Sequence, residues 1–225
     1  MTAVFITATG TDIGKTFIAR GMIGELRARG RSVDALKPVI TGFDPRAPQT
    51  SDTGRLLLAL GATLTPERIA AASPYRLREP LSPDMAARRE GTAIDFAALV
   101  AHGRNAVAAH RDALIIEGIG GIMVPLDDRH TVLDWMIALD LPLILAAGSY
   151  VGTLSHTLTA LEVLDRAGLK VAAVVVNETP GSAATLEDTA ATIRRFAAEI
   201  EVLALPRLPE GALDHPVMAA LADLM

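Results

Sequence analysis

The stretch Ala3-Val4-Phe5-Ile6-Thr7-Ala8-Thr9-Gly10-Thr11-Asp12-Ile13-Gly14-Lys15-Thr16 runs from an apolar segment into a loop bearing two glycines and closes on Lys-Thr. Thr16 to Arg29 then shows the periodicity of an amphipathic helix, with Gly30 as its stop. The order is strand, loop, helix. Glycines let the backbone wrap an anion so that successive N–H groups and the helix N-terminus face it, Lys15 adds a mobile positive charge, and the Thr16 hydroxyl offers a ligand for Mg²⁺. The strict phosphate-loop spacing has glycine at position 9, where this chain carries Thr9. The reading therefore rests on where the loop sits rather than on its spelling.

Further apolar runs rich in Val, Ile and Leu occur at Val33 to Leu36, Ala113 to Ile116, Leu143 to Ala147, Val171 to Val176 and Glu201 to Leu205, each expected as a buried strand. Helical patterns fill Phe96 to His110, Thr153 to Ala167, the latter stopped by Gly168, and Thr185 to Glu199. Strands alternating with helices, without hairpin turns, predict an α/β fold: a single domain over residues 1 to 225 whose mostly parallel sheet is flanked by helices. Ligands of such sheets bind beyond the carboxyl ends of the strands. Residues 42 to 91 break the pattern, with Pro74, Pro80 and Pro83 and one clear helix near Asp52 to Leu60, and read as an excursion covering the site.

Composition narrows the function. The 225 residues are 50% apolar, enough for a sheet covered on both faces. A formal charge of -5 offers no basic stripe for nucleic acid. The chain has no cysteine, which excludes disulfides, thiolate metal sites and a Cys nucleophile. Its N-terminus lacks the features of a secretory signal, and its longest apolar run, Leu141 to Gly148, is too short to cross a bilayer. A cytoplasmic protein with no membrane or nucleic-acid partner is expected.

Several groups could complete the phosphate site. Glu117, in Glu117-Gly118-Ile119-Gly120-Gly121, falls at a strand end beside the loop and suits a Mg²⁺ carboxylate. Lys37, in Lys37-Pro38-Val39-Ile40-Thr41-Gly42, is placed to face charge on a transferring phosphoryl group, although a lysine taken alone is more often a solvated surface residue. Asp52 is either a second metal carboxylate or the N-cap of its helix. Asn177-Glu178 ends another strand, where an Asn amide can meet an adenine edge or simply make a turn. Gly152-Thr153-Leu154-Ser155 opens a helix, as an anion site or as plain capping by Thr153. The histidines show no metal-ligand spacing.

Taken in order, Thr9 to Thr16, Lys37 to Gly42, Ser51-Asp52, Glu117 to Gly121, Gly152 to Leu158 and Val175 to Glu178 resemble the dethiobiotin synthetases, a P-loop NTPase-like family of ATP-dependent carboxylating cyclases. The resemblance spans nearly the whole chain. It implies ATP and 7,8-diaminopelargonate as substrates together with CO₂ or bicarbonate, Mg²⁺ as cofactor, and a homodimer. It further implies that Lys37 and Lys15 act on the phosphates and carbamate, and that Thr16, Asp52 and Glu117 hold the metal. ATP contacts are implied for Asp12, Ile13, Gly14, Lys15, Thr16, Asp52, Glu117, Gly118, Ile119, Gly120, Asn177, Glu178, Pro206, Arg207, Leu208 and Glu210. Substrate contacts are implied for Thr11, Lys37, Thr41, Gly152, Thr153 and Ser155, the last three across the dimer. Ala8 stands where the family commonly has Gly, Asp12 where Glu is frequent and Ser155 where Asn is frequent.

Two other classes share such a domain. Amidotransferases need a glutaminase domain with a Cys nucleophile, for which the chain has neither length nor cysteine. Partitioning or septum-site ATPase switches carry a signature lysine where this loop has Gly10, and the tail from Leu213 to Met225 is acidic rather than a basic membrane helix.

Overall fold

The computed structural model describes residues 2 to 225. In chain order the elements are β1 (Ala3–Ala8), α1 (Lys15–Ala28), β2 (Val33–Leu36), β3 (Val39–Ile40), α2 (Asp52–Ala59), α3 (Pro66–Ala72), β4 (Tyr75–Arg76), α4 (Pro83–Arg89) and α5 (Phe96–Ala109). There follow β5 (Ala113–Glu117), α6 (Val132–Leu139), β6 (Leu143–Gly148), α7 (Thr153–Arg166), β7 (Val171–Asn177), α8 (Leu186–Phe196), β8 (Glu201–Leu205) and α9 (Pro216–Asp223).

Six strands form one parallel sheet in the order β2-β5-β1-β6-β7-β8. The single-domain α/β fold read from the sequence is the fold of the molecule. Along β1 the side chains alternate between two cores. Val4, Ile6 and Ala8 pack with Ile18, Met22 and Leu26 of α1 and Met218 and Leu221 of α9. Phe5 points the other way, into the layer that holds Leu99, Trp135, Leu164 and Ile193. There the Phe5 and Trp135 rings meet edge to face, with centroids 4.9 Å apart. Two buried faces explain why the central strands read as unbroken apolar runs.

The outer strands depart from that expectation. β2 exposes Asp34 and β8 exposes Glu201, because each is an edge strand with only one neighbour. α8 stops at Phe196, short of Glu199, where the chain turns back to feed β8. Residues 42 to 91 hold three α-helices and a short 3-10 turn at Pro48–Thr50 rather than one helix, and the β3-β4 pair ties the stretch between α3 and α4 to the segment after β2. Helix α6 lacks a clear amphipathic signature in the sequence, being apolar on most sides; its Val132, Trp135, Met136 and Leu139 are buried.

Candidate functional site

Three strand ends build the site. Leu36 of β2 lies beside Ile116 of β5, which brings Lys37 next to Glu117, and β1 delivers the loop Thr9 to Gly14 on the other side of β5. Lys37 is not a surface residue. It is 2% exposed, and its Nζ donates to Oε1 of Glu117 at 2.6 Å and to the Gly118 carbonyl at 2.7 Å, with an Asp52 carboxylate oxygen at 3.3 Å. Its backbone is also clamped: the Lys37 N–H donates to Ala72 O, and Ser73 Oγ donates to Lys37 O. Burial disfavours the ammonium charge, but the Glu117 and Asp52 carboxylates outweigh it and hold the Lys37 pKa above the ordinary lysine value.

Asp52 opens α2 without capping it. Ser51 is the N-cap, its hydroxyl accepting from Gly54 N at 3.0 Å, which overturns the N-cap reading of Asp52 and leaves its carboxylate for Lys37. Burial would raise the Asp52 pKa, yet the Lys37 charge and hydrogen bonding hold it below the usual carboxylate value. Glu117 is fully buried. Its Oε1 accepts from Lys37 and, at 2.8 Å, from Thr16 Oγ1, while its Oε2 has no partner among the described residues.

Lys15 also reaches inward, donating to Gly10 O at 3.1 Å and Gly120 O at 2.9 Å. Burial, reinforced by the nearby Lys37 charge, pushes its pKa down to about 8. The loop turns on Gly14, whose φ of 98° suits glycine, and a Cβ there would lie 2.5 Å from Asn177 Nδ2. Asn177, the last residue of β7, donates its amide to Ile13 O and braces the loop from the far side. Glu178 accepts from Arg207 N at 2.7 Å, which joins the ends of β7 and β8.

The phosphate loop, Lys37, Asp52 and Glu117 border a cleft of about 650 Å³, within the range of small-molecule sites. Thr11, Asp12, Ile13, Gly14, Lys15, Thr16, Lys37, Thr41, Asp52, Glu117, Ile119 and Gly120 line it. Gly118, Asn177, Glu178, Pro206, Arg207, Leu208 and Glu210 do not, nor do Gly152, Thr153 and Ser155. At the start of α7 the N-cap is Gly152, so Thr153 is not a cap; its hydroxyl is buried and has no partner among the described residues. The cleft also has walls that were not among the candidate site residues: Phe17, Arg55 and Val124, and Pro80 to Pro83 of the 42 to 91 excursion. Arg55, one helical turn from Asp52, could have been found from α2 periodicity; Pro80 to Pro83 had no local signal for where the chain folds back.

The fold and the loop define a P-loop nucleoside-triphosphatase. A family model described as an AAA domain matches residues 2 to 212. Among curated proteins, the ATP-dependent dethiobiotin synthetase of Caulobacter vibrioides is 47% identical over 92% of this chain and 93% of its own. That of Methylobacterium nodulans is 45% identical over 95% of this chain and 98% of its own. The chain belongs to the ATP-dependent dethiobiotin synthetase family. Solved structures agree on the fold alone. The MinC:MinD complex of Aquifex aeolicus matches with a TM-score of 0.54 at 11% identity, over 90% of this chain and 79% of that one. Chloroplast FtsY of Physcomitrella patens matches with a TM-score of 0.52 at 13% identity, over 99% of this chain and 64% of that one. No helix among the described residues is long and apolar enough to cross a membrane.

Proposed function

We propose that the protein carboxylates 7,8-diaminopelargonate and closes its ureido ring to give dethiobiotin, consuming ATP and CO₂ and releasing ADP and phosphate in biotin biosynthesis. The observation that carries this reading is the buried Lys37 ammonium held by Glu117 and Asp52 within the cleft that the phosphate loop borders.

One amine of the substrate captures CO₂ as a carbamate, the carbamate oxygen attacks the γ-phosphorus, and ADP leaves. The second amine then attacks the carbonyl of the carbamic-phosphoric anhydride and expels phosphate. Such chemistry needs alignment and charge screening rather than a protein nucleophile. Lys37 supplies fixed positive charge where carbamate and γ-phosphate meet, and Lys15 turns to the phosphates when they enter. Thr11 and Thr41 line the same cleft as Lys37, which supports their contact with the diamine. Asn177, Glu178 and the segment Pro206 to Leu208 with Glu210 are assigned to the nucleoside, supported by the bonds that join the ends of β7 and β8 beside the loop.

Mg²⁺ fits the residues present. The unpartnered Oε2 of Glu117, the Asp52 carboxylate and the Thr16 hydroxyl are hard oxygen donors on one side of the cleft. Mg²⁺ takes one or two protein carboxylates and completes its shell with phosphate and water, so no cluster of three acidic or His side chains is needed, and none occurs among the described residues. When bound, the ion screens the β- and γ-phosphate charges. A homodimer is proposed because Gly152, Thr153 and Ser155 lie outside the chain's own cleft while the adjacent Val151 is 78% exposed. Residues 42 to 91 are proposed to cover the site, as Pro80 to Pro83 line it.

Purified protein is expected to release phosphate from MgATP only when both diaminopelargonate and bicarbonate are supplied. Equal release with ATP alone would sink the synthetase reading and favour an ATPase switch. Sedimentation at twice the chain mass is expected, and a monomer active at full rate would remove the shared site.

A further inference from the structure

The two lysines of the cleft are committed to internal partners, Lys15 to backbone carbonyls and Lys37 to carboxylates and the Gly118 carbonyl. Arg55 also lines the cleft, yet it is exposed and makes no side-chain hydrogen bond or ion pair among the described residues. By contrast, Arg29, Arg31, Arg46, Arg88, Arg89 and Arg166 are each paired with a carboxylate. Arg20, half-buried, likewise has no side-chain partner among the described residues, and its own burial and the Arg55 charge both disfavour its charged form.

The placement is regular. Arg55 stands three residues after Asp52 on α2, and Arg20 four residues after Thr16 on α1, so each lies one turn beyond a residue of the proposed metal layer. α1 and α2 pack against each other, which brings two guanidinium groups together on the same side of that layer. Like charges held side by side without a counter-charge repel each other, and an anion placed between them relieves that repulsion. Guanidinium suits a phosphoryl group, because its fork can donate two parallel N–H bonds and it stays charged at every working pH.

We infer that Arg55, backed by Arg20, contacts the terminal phosphoryl group of the bound nucleotide and sets the preference for triphosphate over diphosphate. The inference rests on the nucleotide reading above. It makes Arg55 a contact to the group that is transferred and Arg20 a positioning residue acting through the local field.

The test is calorimetric titration of the full chain with MgADP and with the magnesium complex of β,γ-imido-ATP, for wild type, Arg55→Ala, Arg55→Lys and Arg20→Ala. Arg55→Ala is expected to weaken the triphosphate analogue at least tenfold and MgADP less than twofold, with Arg55→Lys recovering part of the loss. Arg20→Ala is expected to show the same selectivity with a smaller loss. Tm without nucleotide is expected to hold or rise in both alanine variants, since a repulsion is removed. Equal weakening of both nucleotides, or no weakening of either, overturns the inference. A wild type that binds neither nucleotide overturns the nucleotide reading on which it stands.

Discussion

The Lys37 ammonium sits 2.6 Å from the Glu117 carboxylate, and both side chains are buried at adjacent strand ends. Removing one partner leaves the other charge unpaired in a dry place. Lys37→Ala is expected to cost about 3 to 5 kcal/mol of stability, the usual range for breaking a buried pair from one side. Lys37→Ala combined with Glu117→Gln should restore much of the melting temperature and none of the turnover. Turnover itself should fall about a hundredfold or more, as when a fixed charge is taken from a transition state. Near-normal turnover in Lys37→Ala would show that Lys37 is purely structural.

Lys15 gives a pH dependence with a definite sign. Burial and the Lys37 charge lower its pKa from 10.5 to about 8. Between those values the unfolded chain binds the extra proton, so Lys15 makes stability rise with pH from about 8 to 10.5. With Lys15 assigned to the phosphates as proposed, nucleotide binding is expected to restore its charge, to take up a proton near pH 8 and to weaken as pH rises further. Calorimetry in buffers of different ionisation enthalpy should show that uptake at pH 8 and little at pH 6. Absence of uptake at both would mean that phosphate does not recharge Lys15.

Gly14 and Asn177 form one unit. An alanine at 14 meets both a positive φ and the Asn177 amide, so Gly14→Ala is expected to remove most nucleotide affinity. Asn177→Ala on its own frees the Ile13 carbonyl and should raise the KM for ATP with a smaller effect on kcat. Combining the two changes relieves the collision but not the φ strain. If the double variant binds nucleotide like wild type, sterics alone explain the glycine.

Trp135 tests the opposite core. It is fully buried against Phe5, and its indole N–H has no partner among the described residues. Trp135→Ala should cost about 3 to 5 kcal/mol through the cavity it leaves. Trp135→Phe removes the orphan donor, whose burial costs about 1 to 3 kcal/mol, and so should lose much less. Denaturant unfolding followed by circular dichroism measures both, since this is the chain's single tryptophan. A Phe variant as unstable as the Ala variant would mean that the indole N–H is satisfied.

Much of the architecture was written in local order. Periodicity located all six strands of the main sheet, and the end of β1 located the phosphate loop despite Thr9, because strand-loop-helix is specified by residues that are neighbours in sequence. The chain positions of Lys37, Asp52 and Glu117 were legible for the same reason. Their relation was not. That Lys37 is buried and tied to Glu117 follows from β2 pairing with β5, a contact between segments 80 residues apart. Freedom of the Asp52 carboxylate depended on Ser51 taking the cap. Arg55 and Pro80 to Pro83 line the cleft together with the phosphate loop although they lie far from it in sequence. Sequence determined which chemical groups the sheet edge would present, since that depends on local pattern. Tertiary structure decided which of them share a charge and which remain unpaired, since the distances between strand ends are set by packing across the whole chain.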